Sequence, residues 1–228
     1  MSPTALTTNI PELDDPLTIV GAWLDAAERE AGQPNPNAMT VATVGADSRP
    51  SARVVLVKGL ERRLGYAEFY TNYGSRKAAE LHEHRWAAGV MHWDQLGRQL
   101  RFEGPVVRSP AADSDRYFAS RPWRSRINAC ASRQSRVLHD PAQLESAARQ
   151  LAREHGAPDP FGDAEPDAPI VIPRPAFWGG YRFWFAAIEI WASGRDRFHE
   201  RIRFQRTLLP ADEFSFTPGD WDQTRLQP

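Results

Sequence analysis

The feature that most constrains the fold is a series of short strand-like runs set too close together for a helix to lie between most of them. "AMTVATVG", "PSARVVLVKG", "YAEFYTN", "WAAGVMHWD" and "RQLRFEGPVV" follow one another from Ala38 to Val107. Each is rich in Val, Phe, Tyr or Trp and is bounded by turn-like residues. Parallel neighbours need a crossover of about a dozen residues or more, usually helical. These gaps are shorter, so the strands are expected to pair antiparallel, as a barrel or sandwich. One helix fits inside the block, starting near Ser75. Two later runs, "GYRFWFAAIEIWA" and "RFHERIRFQR", read as strands that complete the same sheet. The fold class expected is mainly β with flanking helices (α+β).

Helices flank this block. Asp15 is placed to cap, Pro16 suits a first helical position, and Gly32 is a stop. Leu17, Val20, Leu24, Ala27 and Ala31 recur at helical spacing between them. Residues 110–156 read as helical, with a second Asp-Pro opening at Asp140–Pro141 and a glycine stop at Gly156. A proline-rich stretch, 157–176, comes next. The residues beyond it are too few for a comfortable separate core, so it reads as a loop rather than a domain linker. The organisation expected is a flexible tail, 1–13, and one domain, 14–228.

Charge and composition narrow the function. Lys and Arg number 28 against 29 Asp and Glu, a net charge of −1. A global attraction to nucleic acid or to an anionic membrane is not expected, so any basic character is local. No apolar run approaches the ~18–20 residues that span a bilayer. "MSPTALTTNIPELDD" has neither the basic nor the apolar region of a secretory signal. The single cysteine, Cys130, excludes a disulfide framework and makes a cytoplasmic location the expectation. No Cys/His/Asp spacing suggests a metal. No glycine-rich phosphate loop is present either.

Local basic character appears in three places. "FYTNYGSRKAAEL" turns from strand to helix and puts Arg76 and Lys77 in the first helical turn, where the dipole disfavours cations by roughly 0.3–1 kcal/mol each. A phosphate held by the free N–H groups behind Ser75 would reverse that cost. The plainer alternative is that both side chains turn into water. In "RFHERIRFQR", Arg197, His199, Arg201, Arg203 and Gln205 alternate with Phe198, Ile202 and Phe204. That is a row of cations over an anion, or a solvated edge strand. In "YFASRPWRS", Tyr117, Arg121 and Ser125 stand at i, i+4 and i+8, a grip for a phosphate monoester or an ordinary polar helix end, with Pro122 interrupting.

Taken together, "PNAMTVATV", "SARVVLVKG", "FYTNYGSRKAAEL", "RQLRFEG", "YFASRPWRS", "ASRQS", "WGGYR" and "RFHER" resemble the pyridoxamine/pyridoxine 5′-phosphate oxidase family of FMN-binding split barrels. The resemblance covers nearly the whole chain, from Pro16 to the terminal "RLQP". It implies an antiparallel split β-barrel and a homodimer with FMN between subunits. It also implies oxidation of pyridoxamine or pyridoxine 5′-phosphate to pyridoxal 5′-phosphate in vitamin B6 salvage. In that chemistry a hydride passes from substrate C4′ to flavin N5, and O2 becomes H2O2. FMN would be held by Arg53, Val54, Val55, Leu56, Val57, Lys58, Tyr70, Thr71, Arg76, Lys77, Gln99, Gln134, Ser135, Trp191 and Arg201. The substrate phosphate would meet Lys58, Tyr117, Arg121 and Ser125, and Arg197 and His199 would lie over the substrate ring as the catalytic pair.

There are departures. The N-terminal stretch lacks the Arg and Tyr that the family often closes over the substrate. Phe198 and Glu200 replace a usual Leu and Asp, and Asn128 and Cys130 stand where Gly and Trp are common. His-Glu-Arg and "RLQP" also occur in the related flavin oxidases of phenazine biosynthesis. Those typically lack the set Lys58, Tyr117, Arg121 and Ser125. A non-catalytic flavin or B6-phosphate carrier is the third reading, against which Arg197 and His199 argue. Strict alternation puts Arg53 and Lys58 on opposite strand faces, so a break near Gly59 is expected if both serve one cleft.

Overall fold

Asp15 opens the first helix as read, its carboxylate accepting the Leu17 N–H at 3.0 Å. The computed structural model describes Ile10 and residues 15–228. The expected tail, 1–13, lies outside the described residues except for Ile10, which is fully buried and donates its N–H to Glu200 Oε2 at 3.0 Å. Helix α1 (Pro16–Glu30) buries Leu17, Val20 and Ala27 against the sheet, and Gly32 beyond it takes φ +65°. The Asp15 cap contributes about 1 kcal/mol.

Strands β1 (Ala38–Val44), β2 (Pro50–Leu56), β3 (Gly59–Glu61) and β4 (Tyr66–Asn72) precede helix α2 (Arg76–Glu83). Then come β5 (Trp86–Trp93) and β6 (Arg98–Arg108), followed by helices α3 (Ala111–Ser120), α4 (Trp123–Ala131) and α5 (Pro141–Glu154). Strands β7 (Trp178–Trp184), β8 (Ala187–Ala192), β9 (Glu200–Gln205), β10 (Leu208–Pro210), β11 (Phe216–Pro218) and β12 (Asp222–Leu226) end the chain. All the pairings are antiparallel. One sheet runs β12-β9-β8-β6-β5-β1-β2, and β7, β4 and β3 continue from the far end of β6.

Strand β6 is the pivot of the split barrel. Arg98–Glu103 pair with β8, and Val106–Arg108 pair with β7. Gly104 sits at the change. A Cβ there would lie 2.0 Å from the Trp184 carbonyl oxygen and 2.9 Å from the Ala186 nitrogen. Both are backbone atoms, so only glycine lets the strand pass from one sheet to the other. The interior holds Met39, Val41, Phe69, Met91, Trp93, Leu100, Phe102, Phe183, Ile188, Ile190 and Phe204, all essentially solvent-free. Each stabilises the fold by roughly 1.5–3 kcal/mol.

A second apolar cluster joins the helices to the barrel. Phe118, Trp123, Ile127, Ala148 and Ala152 pack with Trp178 of β7 and with Ile172 from the proline-rich loop. Arg174 ties the same loop down through Asp115 at 2.7 Å and the Trp178 carbonyl at 2.6 Å.

Two strand readings change. "GYRFWFAAIEIWA" is two strands, because the chain turns at Phe185–Ala186 to feed β8. "RFHERIRFQR" is a strand only from Glu200. Asp196 and Arg197 take positive φ (52° and 69°) in a turn, so Phe198 is 63% exposed instead of joining the core. Ile202 and Phe204 do face inward. Two cations of the row, Arg201 and Arg203, meet carboxylates on neighbouring strands. Arg201 donates to Glu189 at 2.9 Å, and Arg203 makes two bonds to Glu103 at 3.0 and 2.8 Å. Arg201 also donates to the Gln227 carbonyl at 3.0 Å.

Candidate active site

A cavity of about 650 Å³ opens between β2, β4, the start of α2 and the junction of α3 with α4. That is the size of a pocket for a small ligand. Of the residues read from the sequence, Arg53, Val54, Val55, Leu56, Lys58, Tyr70, Thr71, Arg76, Lys77, Gln134, Ser135, Tyr117 and Arg121 line it. The break expected near Gly59 is present. Strand β2 ends at Leu56, and Lys58, with its N–H on the Glu68 carbonyl at 2.7 Å, joins Arg53 in the cavity wall. Val57 turns the other way, into the core.

At one end, Arg53, Arg76 and Lys77 converge. Lys77 is 7% exposed and donates to Thr71 Oγ1 and Gln134 Oε1, each at 3.0 Å, and to Ser75 Oγ at 3.3 Å. All three acceptors are neutral. Burial, and then the nearby Arg53 charge, pull the Lys77 ammonium down to about 8, against a smaller opposing pull from Glu80. Ser75 makes no side-chain cap to α2. Its hydroxyl goes to Lys77 instead, leaving the first-turn N–H groups without a side-chain partner. Lys77 does not turn into water, and Arg76, though its side chain is mostly exposed, is drawn back along the helix to Glu80 at 2.7 Å.

The other end is aromatic. The Tyr70 and Tyr117 rings stack at 3.9 Å, Trp178 lies 5.7 Å from Tyr70, and the Arg121 guanidinium sits 4.7 Å over Trp178. Arg121 Nη1 is buried with no hydrogen-bond partner. A buried guanidinium N–H left unpaired is costly, and an anion in the cavity would satisfy it. Burial raises both phenols, most for Tyr70, so they are protonated donors at neutral pH. Ser125 is half-buried in α4 and is not among the lining residues. Pro122 ends one helix and starts another, so the i+8 spacing does not carry the shared face across.

The remaining candidates form a second cluster. Gln99, Trp191 and Arg201 are register partners across β6, β8 and β9. The His199 ring lies 4.7 Å from Trp191 and accepts the Gly194 N–H at 3.3 Å. Arg197 is exposed beside it. None of these five lines the cavity of its own chain.

Sequence reading missed Ser51, Asn72, Ser132 and Trp178 in the cavity wall, where Asn128, noted as a departure, also stands. It also missed buried Thr43 and Glu80 beneath it. The Thr43–Ser51 pair is a cross-strand register that only the hairpin reveals. Glu80, four residues after Arg76, was the one legible signal.

Comparison with known proteins decides the family. A model described as pyridoxamine 5′-phosphate oxidase matches residues 26–153, and one described as the pyridoxine 5′-phosphate oxidase C-terminal dimerisation region matches residues 178–228. The chain belongs to the pyridoxamine 5′-phosphate oxidase family. This oxidase is 44% identical over 214 residues to the pyridoxine/pyridoxamine 5′-phosphate oxidase of Burkholderia multivorans (strain ATCC 17616 / 249), covering 94% of this chain and 89% of that one. It is 42% identical to the enzyme of that name from Salinibacter ruber (strain DSM 13855 / M31), over 94% and 90% of the two chains. Among solved structures, PhzG from Burkholderia lata 383, in complex with tetrahydrophenazine-1-carboxylic acid, superposes with a TM-score of 0.80. It is 29% identical, covering 98% of this chain and all of that one. An FMN-binding, pyridoxamine 5′-phosphate oxidase-related protein from Nostoc punctiforme PCC 73102 shares the fold, at TM-score 0.64 and 16% identity. The split-barrel expectation holds. FMN is the oxidase's cofactor, and the residues present fit it: three cations and uncapped amides suit its phosphate, and the adjoining cavity is large enough to take a ring system.

Proposed function

We propose that this oxidase converts pyridoxamine or pyridoxine 5′-phosphate to pyridoxal 5′-phosphate. The observation that carries the reading is the pair of separate anion grips in one cavity. Arg53 and Arg76 meet on Glu80 at the start of α2 with Lys77 beside them, while Tyr117 and Arg121 stand with Tyr70 and Trp178 at the aromatic end, and Lys58 lines the same cavity. One grip would take the FMN phosphate and the other the substrate phosphate. When bound, FMN supplies the acceptor for the hydride from C4′ and the centre at which O2 is reduced to H2O2.

The chain's own residues bind and orient. Two fixed phosphates hold the reacting rings in one relative position, which is where most of the advantage of positioning arises. Tyr70, Tyr117 and Trp178 exclude water from the substrate end. Arg197 and His199, with Gln99, Trp191 and Arg201, would be supplied by a second copy of the chain. The match of residues 178–228 to a dimerisation region supports this, as does the absence of those five side chains from the cavity of their own chain. Arg197 would then orient the substrate ring, and His199 would hydrogen-bond it.

PhzG favours a second reading, oxidation of a reduced phenazine precursor. The unpaired Arg121 Nη1 favours the phosphorylated substrate. Oxygen uptake and peroxide release, measured with pyridoxamine and pyridoxine 5′-phosphates, their unphosphorylated forms and a dihydro- or tetrahydrophenazine carboxylate, distinguish the two. Turnover of the phosphorylated vitamers well above the rest is expected. Turnover of the phenazine alone would overturn the proposal.

A further inference from the structure

Under the first grip lies a carboxylate that is not part of the cavity wall. Glu80 is 5% exposed and is absent from the lining. Its Oε1 accepts from Arg76 Nε at 2.7 Å and from Ser51 Oγ at 2.9 Å. Its Oε2 accepts from Arg53 Nη2 at 3.1 Å, from Ser51 Oγ at 2.7 Å and from Thr43 Oγ1. Arg53 is further fixed by hydrogen bonds to Thr43 and Ser51. One buried side chain therefore joins β1, β2 and the first turn of α2.

A negative charge beneath an anion site repels the anion, so its presence there needs a reason. Without it, Arg53, Arg76 and Lys77 are three cations with no counter-charge, and repulsion would splay the two flexible guanidinium stems. With it, both guanidinium groups share a single acceptor pair. The charges also match: three cations and one carboxylate leave +2, against about −1.5 to −2 on a phosphate monoester at neutral pH.

We propose that Glu80 is a positioning residue for the flavin phosphate, holding Arg53 from the strand and Arg76 from the helix in the one arrangement that a single phosphate can bridge. This rests on assigning that end of the cavity to FMN. Burial raises the Glu80 carboxyl, but hydrogen bonds from Thr43, Ser51, Arg76 and Arg53 outweigh it and bring the group down to about 2. The charge is thus permanent at any working pH.

The test is titration of apoprotein with FMN and, separately, with riboflavin, which lacks the phosphate, followed by flavin fluorescence with Tm recorded for each protein. Glu80→Gln keeps the shape and removes the charge. It should weaken FMN about tenfold or more while changing riboflavin less than about twofold. Thr43→Val, which removes one tie, should move FMN the same way by less. Equal losses for both flavins would make Glu80 a fold element only and overturn the proposal, as would unchanged or tighter FMN binding. Should Glu80→Gln not fold, Thr43→Val carries the same comparison. Arg76→Ala and Lys77→Met test the assignment beneath it. If neither lowers the FMN preference over riboflavin, the phosphate sits elsewhere. If they do and Glu80→Gln does not, only the positioning role fails.

Discussion

Raising the pH should release FMN before it unfolds the protein, and Lys77 is the reason. In the free protein its ammonium sits near 8, lowered by burial and by Arg53. A bound phosphate dianion favours the protonated form and returns the group to or above its ordinary 10.5. The sign follows. Affinity is full while free Lys77 is protonated, and falls as pH rises through 8. If the bound group stays at 10.5, linkage gives a Kd about tenfold weaker at pH 9 than at pH 7. The assay is fluorescence titration of apoprotein at constant ionic strength from pH 6.5 to 9, a range over which the phosphate, with its second pKa near 6, stays largely dianionic. Lys77→Met should bind FMN some 10- to 100-fold more weakly at pH 7, the value of a charged hydrogen bond, and its Kd should be flat to pH 9. A wild-type Kd that is flat to pH 9 would refute the reasoning. So would a slope that survives in Lys77→Met, since the titrating group would then be another.

Other outcomes are expected at separate points. Arg121→Ala should raise KM for the phosphorylated substrates about 10- to 100-fold and leave FMN content unchanged, because only one of the two grips is lost; steady-state kinetics beside the flavin absorbance ratio checks it. Arg197→Met should lower turnover while sparing FMN content, whereas Arg76→Ala should weaken FMN retention; the flavin-to-protein absorbance ratio beside steady-state kinetics checks both. Gly104→Ala, whose methyl would strike the Trp184 carbonyl, should destabilise by about 1–3 kcal/mol or more in a denaturant titration, whereas Gly162→Ala, whose methyl would meet nothing nearer than the Asp159 carbonyl at 3.6 Å, should be near neutral. In acid, Glu80 contributes stability that is complete above its unfolded value near 4.5 and is lost as pH falls toward 2. The stability gap between wild type and Glu80→Gln should therefore close over that range.

The strands of the first block were legible because each carries its own turn residues and β-branched or aromatic runs. The α2 site was legible because Arg76 and Lys77 contradict the local dipole, and a contradiction invites a cause. The strand reading failed at Arg197 because alternation in "RFHERIRFQR" continues through residues whose backbone departs from it. Only φ, which a residue pattern does not encode, separates Asp196–Arg197 from the strand that follows. Ser125 lies outside the cavity wall because Pro122 ends α3 and starts α4, so helical spacing does not run from Tyr117 through it. Trp178 and Asn72 went unread as cavity residues because their side chains gain meaning only when β4 and β7 pair.

The bond from Arg201 to the Gln227 carbonyl has a practical side. A guanidinium that the family resemblance assigns to the flavin rests on main chain one residue short of Pro228. Any change that displaces the Gln227 main chain removes that support, so preparations altered near residues 226–228 should be compared with the unaltered chain for retained yellow colour before a loss of activity is blamed on a mutation elsewhere.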